Sequence, residues 1–164
     1  MQKHLYLLCI TDCLETVINK TFFDDNYFYT SLSNSFLSEN TSVTYIKNTV
    51  KKHKISKVSF VLASDNQIIL DALGNQFFTE KGLFNYSYNE IIKNQKIARL
   101  LTNKDAYFSV ISYYLNEKIK ALKNELDKAL LFDIEVEAKI YDRTHHTFKN
   151  IYPDLVCIDR YCLN

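Results

Sequence analysis

Two glycines in 164 residues leave no material for a glycine-rich phosphate cradle. Neither G-x-G-x-x-G, nor the P-loop, nor the G-x-S-x-G nucleophile elbow occurs, so the familiar nucleotide-binding and serine-hydrolase signatures are missing. No apolar run approaches the roughly 20 residues that span a bilayer. The stretch from Met1 to Asp12 is too short in apolar residues for a signal peptide, and Asp12 and Glu15 follow at once. Charge of one sign is scarce as well: 20 basic residues stand against 19 acidic ones, a net +1. Nucleic-acid binders carry a clustered basic excess. The one dense basic run here, Lys47, Lys51, Lys52, His53, Lys54 and Lys57, falls on an expected helix and its exit, where a solvated face accounts for it. Four cysteines, Cys9, Cys13, Cys157 and Cys162, include no C-x-x-C pair. The expectation is a cytoplasmic, reducing compartment with free thiols, and neither a membrane nor a nucleic acid as partner.

What is present suits a folded chain. Hydrophobic residues make up 47%, with 12 Tyr and 11 Phe but no Trp. The length matches one domain with a proper core. No repeat, linker or low-complexity tract interrupts residues 1–164, which are read as a single domain.

His4 to Ile10 reads HLYLLCI, a nearly continuous apolar run typical of a strand buried on both faces of a parallel sheet. Leu14, Val17 and Ile18 have helical spacing, and Asn26 to Ser31 is aromatic and β-favouring. Thr41 and Ser42 are expected to cap a helix whose apolar stripe is Val43, Ile46 and Val50. Val58 to Ala63, VSFVLA, is the strongest strand of the chain. Ser64-Asp65-Asn66 then offers N-cap chemistry for a short helix over 67–73, which Gly74 is placed to end. Residues 75–101 give no clear pattern, although Ile91, Ile92, Ile97, Leu100 and Leu101 suggest a helix late in that stretch. Thr102 to Asp105 resembles a capping box. Beyond it Ile111, Leu115, Ile119, Leu122, Leu126 and Leu130 predict a helix over about 105–130, packed on the sheet. Ile134 to Tyr141 alternates apolar and charged residues, the mark of a half-exposed strand at a sheet edge, with a turn at 142–146 and a return over 147–152. The fold class is therefore α/β: a Rossmann-like three-layer domain with a mostly parallel central sheet and an antiparallel C-terminal edge hairpin.

In open α/β sheets ligands bind beyond the carboxyl ends of the strands. Three such ends are rich in small polar residues: Cys9 to Cys13, Ser31 to Ser35, and Ser64 to Gln67. Strand ends and helix caps use Ser, Asp and Asn in any case, so the clustering is suggestive only beside other evidence. His145-His146 sits on an expected hairpin tip, where neighbouring side chains point to opposite faces and a solvated turn outweighs a metal site. Cys157 and Cys162 lie in an apolar segment and read as small hydrophobes.

The order of these pieces resembles the β-class carbonic anhydrases. That family opens with a strand ending in C-x-D-x-R, matched here by Cys9-Ile10-Thr11-Asp12-Cys13. Its second strand carries a segment like D-x-F-x-x-R-N-A-G-N, matched by Asn26 through Ser35. S-x-E-Y-A, a helix and a strand ending in G-H-x-x-C-G follow; the counterparts are Ser42 to Ile46 and Ala63 to Gln67. The family's late strand, read as G-x-x-Y-D, corresponds to Ala138 to Asp142. The layout match runs from about Leu5 to Ile151, while the motifs themselves match weakly.

The resemblance implies a zinc site made by a cysteine of the first motif and the histidine and cysteine of the third. Here those positions hold Cys9, Ser64 and Gln67, and the family's Asp–Arg pair becomes Thr11 and Cys13. Structural zinc gains on the order of 10–16 kcal/mol from its ligand set, so losing two protein ligands removes about half of that or more. Without zinc no water is brought to a pKa near 7. The expectation is thus a carbonic-anhydrase-like protein without catalytic residues, metal or cofactor. It would act as a binding or interaction module with a small polar ligand or a protein as partner. The residual crevice by resemblance is Cys9, Thr11, Asp12, Cys13, Ser31, Ser64 and Gln67. Two alternatives stand beside it: an enzyme using Cys9 or Cys13 as nucleophile near Asp12, and a zinc-dependent carbonate dehydratase with replacement ligands. The family's N-terminal helical arm helps build its dimers; only three residues precede His4, so a homodimer is expected on weaker grounds.

Overall fold

The computed structural model describes residues 2–34, 40–74, 88–89, 91–92, 106–128 and 133–152. Strand β1 (Lys3–Cys9) lies at the centre, paired in parallel with β2 (Asp25–Ser31) on one side and β3 (Lys57–Ala63) on the other. Strand β4 (Glu135–Asp142) runs parallel to β3, and β5 (Thr147–Asn150) returns antiparallel to it. The sheet order is β2-β1-β3-β4-β5, mostly parallel with a C-terminal hairpin at one edge, as the sequence pattern predicts.

Parallel neighbours on both sides explain the unbroken apolar run of β1, in which every residue from His4 to Cys9 is buried. On one face Leu5, Leu7, Val58, Phe60, Leu62, Val136 and Ile140 meet three helices. These are α2 (Asn40–His53), α3 (Gln67–Leu73) and α4 (Ala106–Asp127). The stripes Val43–Ile46–Val50 and Ile111–Leu115–Leu122–Leu126 are the buried faces of α2 and α4. On the other face Tyr6, Leu8 and Val61 pack with Leu14 and with Ile18 of α1 (Glu15–Thr21), flanked by Phe22, Phe28 and Phe148. Helices on both faces of the sheet make the three layers.

Two local expectations change. Helix α2 begins at Asn40, so Thr41 and Ser42 lie inside its first turn instead of capping it; Ser42 Oγ there accepts from Tyr29 OH at 2.7 Å. Strand β4 is not the edge strand, because β5 lies outside it. Its alternation reflects its two faces: Val136, Ala138 and Ile140 enter the core. On the opposite face Glu137 takes part in a half-buried lattice with Lys57 at 2.9 Å, Lys139 at 3.4 Å and Ser59 at 2.8 Å. The basic run is divided too: Lys47 pairs with Glu125 at 2.7 Å and Lys57 with Glu135 at 2.9 Å, while Lys51, Lys52 and Lys54 face solvent. Among the described residues no helix is long and apolar enough to cross a membrane. The expected capping box at 102–105, Leu130, Cys157 and Cys162 lie outside the described residues.

Candidate functional site

The carboxyl ends of β1, β2 and β3 converge, because parallel strands in register finish together. Cys9 and Ser31 are direct partners across β1 and β2, and Ile10 N donates to Ser31 O at 3.2 Å. Beyond β2 the chain turns tightly through Leu32–Asn34, with Ser33 and Asn34 at φ 46° and 55°. That turn presents Ser33 N to Cys9 Sγ at 3.2 Å. Cys9 is fully buried, and its sulfur also shares a hydrogen bond with Thr11 Oγ1 at 3.1 Å. Tyr114 of α4 closes this corner by donating to Ser33 O at 2.5 Å.

Asp12 is the polar hub. Its Oδ2 accepts from Ala63 N at 2.8 Å and its Oδ1 from Asn66 Nδ2 at 2.9 Å, which ties the end of β1 to the end of β3. Only 2% of the residue is exposed. Burial pushes its carboxyl up to about 6, against the opposing pull of the two hydrogen bonds and the nearby Arg143. Such a value could serve a general base near neutral pH. Burial and the two fixed donors make it a structural tie instead, since a substrate has no approach to it.

Arg143 comes from the β4–β5 turn. It donates from Nη2 to Asp12 O at 2.6 Å and from Nε to Asp65 Oδ1 at 2.8 Å, clasping both loops. The acid and the guanidinium that the resemblance seeks at Thr11 and Cys13 are thus present nearby, one residue along and from another turn. Tyr107, on the first turn of α4, lies within electrostatic reach of Asp12 and Asp65, and burial with those two charges holds its hydroxyl protonated.

The remaining expected residues spread out. Ser64 is half-buried, and its N donates to Tyr141 O at 2.8 Å. Gln67 is exposed, its Nε2 folded back on Asp65 O at 3.1 Å. Cys13 is exposed at φ 51°, its Sγ donating to Ile10 O at 3.6 Å. His145 and His146 occupy the exposed turn, bonded to Asp142 Oδ2 at 2.8 Å and to Tyr141 OH at 3.1 Å. Sequence reasoning placed Asn66 as a helix cap and within the polar strand end Ser64 to Gln67, placed Ser33 within Ser31 to Ser35, and missed Arg143 and Tyr107.

Neither a protein-family model nor a curated protein matches the sequence. Solved structures do match. The β-carbonic anhydrase CafA of the fungal pathogen Aspergillus fumigatus has a TM-score of 0.74 at 18% identity, over 93% of this chain and 78% of that one. The fold is that of the β-carbonic anhydrases. The Coccomyxa β-carbonic anhydrase in complex with acetazolamide gives 0.70 at 12% identity, over 92% and 72% of the two chains. A tetrameric β-carbonic anhydrase of Sordaria macrospora gives 0.65 at 16%, over 95% and 81%.

A β-carbonic anhydrase fold raises the question of zinc. Ser64 and Gln67, which the resemblance sets at the family's histidine and second cysteine positions, offer a hydroxyl and an amide, poor ligands beside imidazole and thiolate. Cys9 Sγ is already engaged by Ser33 N and Thr11. Among the described residues no three His, Cys, Asp or Glu side chains are grouped so as to hold a metal ion. The donor set at this site does not fit zinc.

Proposed function

We propose that this carbonic-anhydrase-fold chain is a non-catalytic binding module that has exchanged a metal site for a hydrogen-bonded one. The observation that carries the reading is the donor set: with Ser64 and Gln67 at the positions that the resemblance gives to a histidine and a cysteine, Cys9 is the one thiol left where three zinc ligands would be needed. Asp12 and Cys9 take their partners from within the chain, Asp12 from Ala63 N and Asn66, and Cys9 from Ser33 N and Thr11. In this reading the ligand-facing part of the crevice is Thr11, Ser31 and Ser64, with Cys13 and Gln67 at its outer side and the buried Cys9 and Asp12 beneath. A cysteine-based enzyme using Cys9 or Cys13 is less well supported, because Cys9 is fully buried and the exposed Cys13 has its thiol turned onto Ile10 O at 3.6 Å. The tetrameric Sordaria macrospora proteins support a homo-oligomeric state for this chain as well.

The test is metal content of protein purified without chelator, beside a carbon dioxide hydration assay. The expected outcome is zinc far below one per chain and no hydration above background. Near-stoichiometric zinc with activity would overturn the reading.

A further inference from the structure

Strand β2 is an open edge of the sheet. Asp25 N donates to Gln2 O at 3.1 Å and Ser31 O accepts from Ile10 N at 3.2 Å, so the odd-numbered residues of β2 bond to β1. Main-chain groups alternate sides along a strand. The N–H and C=O groups of Asn26, Phe28 and Thr30 therefore point outward, where no strand pairs with them among the described residues. Burial agrees: β1 and β3 are buried from their second residue to their last, whereas β2 is half-exposed from Asn26 to Ser31.

Natural sheets blunt such edges with lysine, proline, bulges or short strands. The opposite edge of this sheet does so: β5 has four residues, one of them Lys149. Strand β2 has none of these devices. Its sequence, DNYFYTS, holds no lysine or proline, and its register with β1 runs one to one from Lys3 and Asp25 to Cys9 and Ser31. An edge left open in this way accepts another strand, and the pattern of β2 suits a second β2. In an antiparallel two-fold pairing centred on Phe28, Asn26 faces Thr30 of the second copy and the two Phe28 residues face each other. Every outward N–H and C=O of the strand then meets a partner. Tyr27 faces Tyr29, and the one charged residue of the strand, Asp25, faces Ser31 instead of its own copy. The same pairing brings Phe23, 82% exposed, to the end of the second copy where Leu32 and Ile10 are 39% and 55% exposed.

We propose that two copies of this chain join along their β2 edges, antiparallel and centred on Phe28, into one continuous sheet. The proposal rests on the homo-oligomeric state read above and assigns it a surface.

Analytical ultracentrifugation of the full chain should show dimers at micromolar concentration. Thr30→Pro removes an outward N–H and spares the ladder to β1, since proline is tolerated on an edge strand where its nitrogen faces solvent. With one hydrogen bond lost from each copy, the dimer should weaken about tenfold. Thr30→Val keeps the N–H and should leave the dimer unchanged. Phe23→Lys and Leu32→Glu should each weaken it, and the two together should recover affinity, because the new charges meet across the interface. Both positions are exposed, and each variant should still unfold cooperatively. A monomeric chain overturns the proposal. So does a dimer that a cooperatively folded Thr30→Pro variant leaves intact, or one that the paired charges fail to restore. A dimer indifferent to every variant loses this surface and keeps the homo-oligomeric state, whereas a monomer loses both. Zinc content and hydration are read separately, and a zinc-free, inactive monomer keeps the module reading.

Discussion

Asn66 joins Asp12 to helix α3: its Nδ2 donates to Asp12 Oδ1 at 2.9 Å, while its Oδ1 accepts from Ile68 N and Ile69 N at 3.1 Å each. One side chain thus caps a seven-residue helix and supplies a buried carboxylate. Its removal should cost more than an ordinary cap. Loss of the cap is worth about 0.5–2 kcal/mol, and leaving a buried acceptor short of a donor adds about 1–3 kcal/mol. Asn66→Ala should therefore lower the unfolding free energy by about 2–4 kcal/mol, read from urea unfolding. Asn66→Ser, which keeps the cap and loses the reach to Asp12, should fall between. An Asn66→Ser variant as stable as the parent would show that the Asp12 contact contributes nothing, and equal losses for the two variants would show the same of the cap.

Two buried groups give the stability curve opposing slopes. Burial raises Asp12 from 3.8 to about 6, so the folded chain holds a proton that the unfolded chain has released. Its contribution is present in full below about pH 4 and is lost as pH rises through 6. Burial, then the charge of Lys57, lowers His4 from 6.5 to about 4. Its neutral ring, bonded to Ser59 Oγ at 2.7 Å, contributes fully above pH 6.5, and that contribution is lost as pH falls through 4. Each displacement is worth about 3 kcal/mol. Over about pH 4–6 the two slopes therefore largely cancel. Asp12→Asn should make stability rise with pH across this window, and His4→Gln should make it fall. Slopes of the same sign in both variants would refute the assignment, whatever their absolute stabilities.

Periodicity made the frame of this fold readable in advance. The unbroken apolar run of β1, the four-and-three stepping of Ile111 to Leu126 and the alternation of β4 each report a local environment that neighbouring residues repeat. Beyond local pattern the sequence is silent. Asn66 reads as a cap because capping is local, yet its second bond crosses 54 residues to Asp12. Arg143 reaches Asp12 O over 131 residues, from a turn whose composition marks only a turn. Tyr107 lies four residues before Ile111, on the apolar stripe of α4, where an aromatic ring reads as core and nothing announces its buried hydroxyl. The edge position assigned to β4 failed for a related reason: alternation records which face is wet and not which strand is outermost.

The resemblance sets Asn34 at the glycine position of the family's second motif, and the backbone there is left-handed, at φ 55°. The residue is fully buried, and neither its Oδ1 nor its Nδ2 has a partner among the described residues. Asn34→Gly removes both penalties, since glycine adopts this conformation freely and carries no amide. Even with the small cavity it leaves, the variant should gain about 1 kcal/mol by thermal unfolding. Asn34→Ala keeps the Cβ at positive φ and should gain less or lose stability. Were glycine to lower the melting temperature, the Asn34 amide would have to be making a bond that stabilises the turn.

If the donor set alone separates this site from a zinc centre, restoring it should restore the metal. Ser64→His and Gln67→Cys together would return an imidazole and a thiolate beside Cys9, the three donors the family's motif supplies. Ser64 is half-buried and Gln67 exposed, so neither replacement has to displace a core side chain. Cys9 Sγ would have to give up only its contact with Thr11 and the hydrogen bond from Ser33 N. The double variant, loaded with zinc and dialysed, should retain close to one zinc per chain by elemental analysis, and each single variant well under half. Restored hydration is not expected from these two changes alone, because Thr11 and Cys13 still replace the family's acid and guanidinium and Arg143 is committed to Asp12 O and Asp65. Failure of the double variant to hold zinc, while its unfolding transition stays cooperative, would mean that the backbone around Cys9 has moved out of metal-binding geometry and that the departure from the enzymes runs deeper than two side chains.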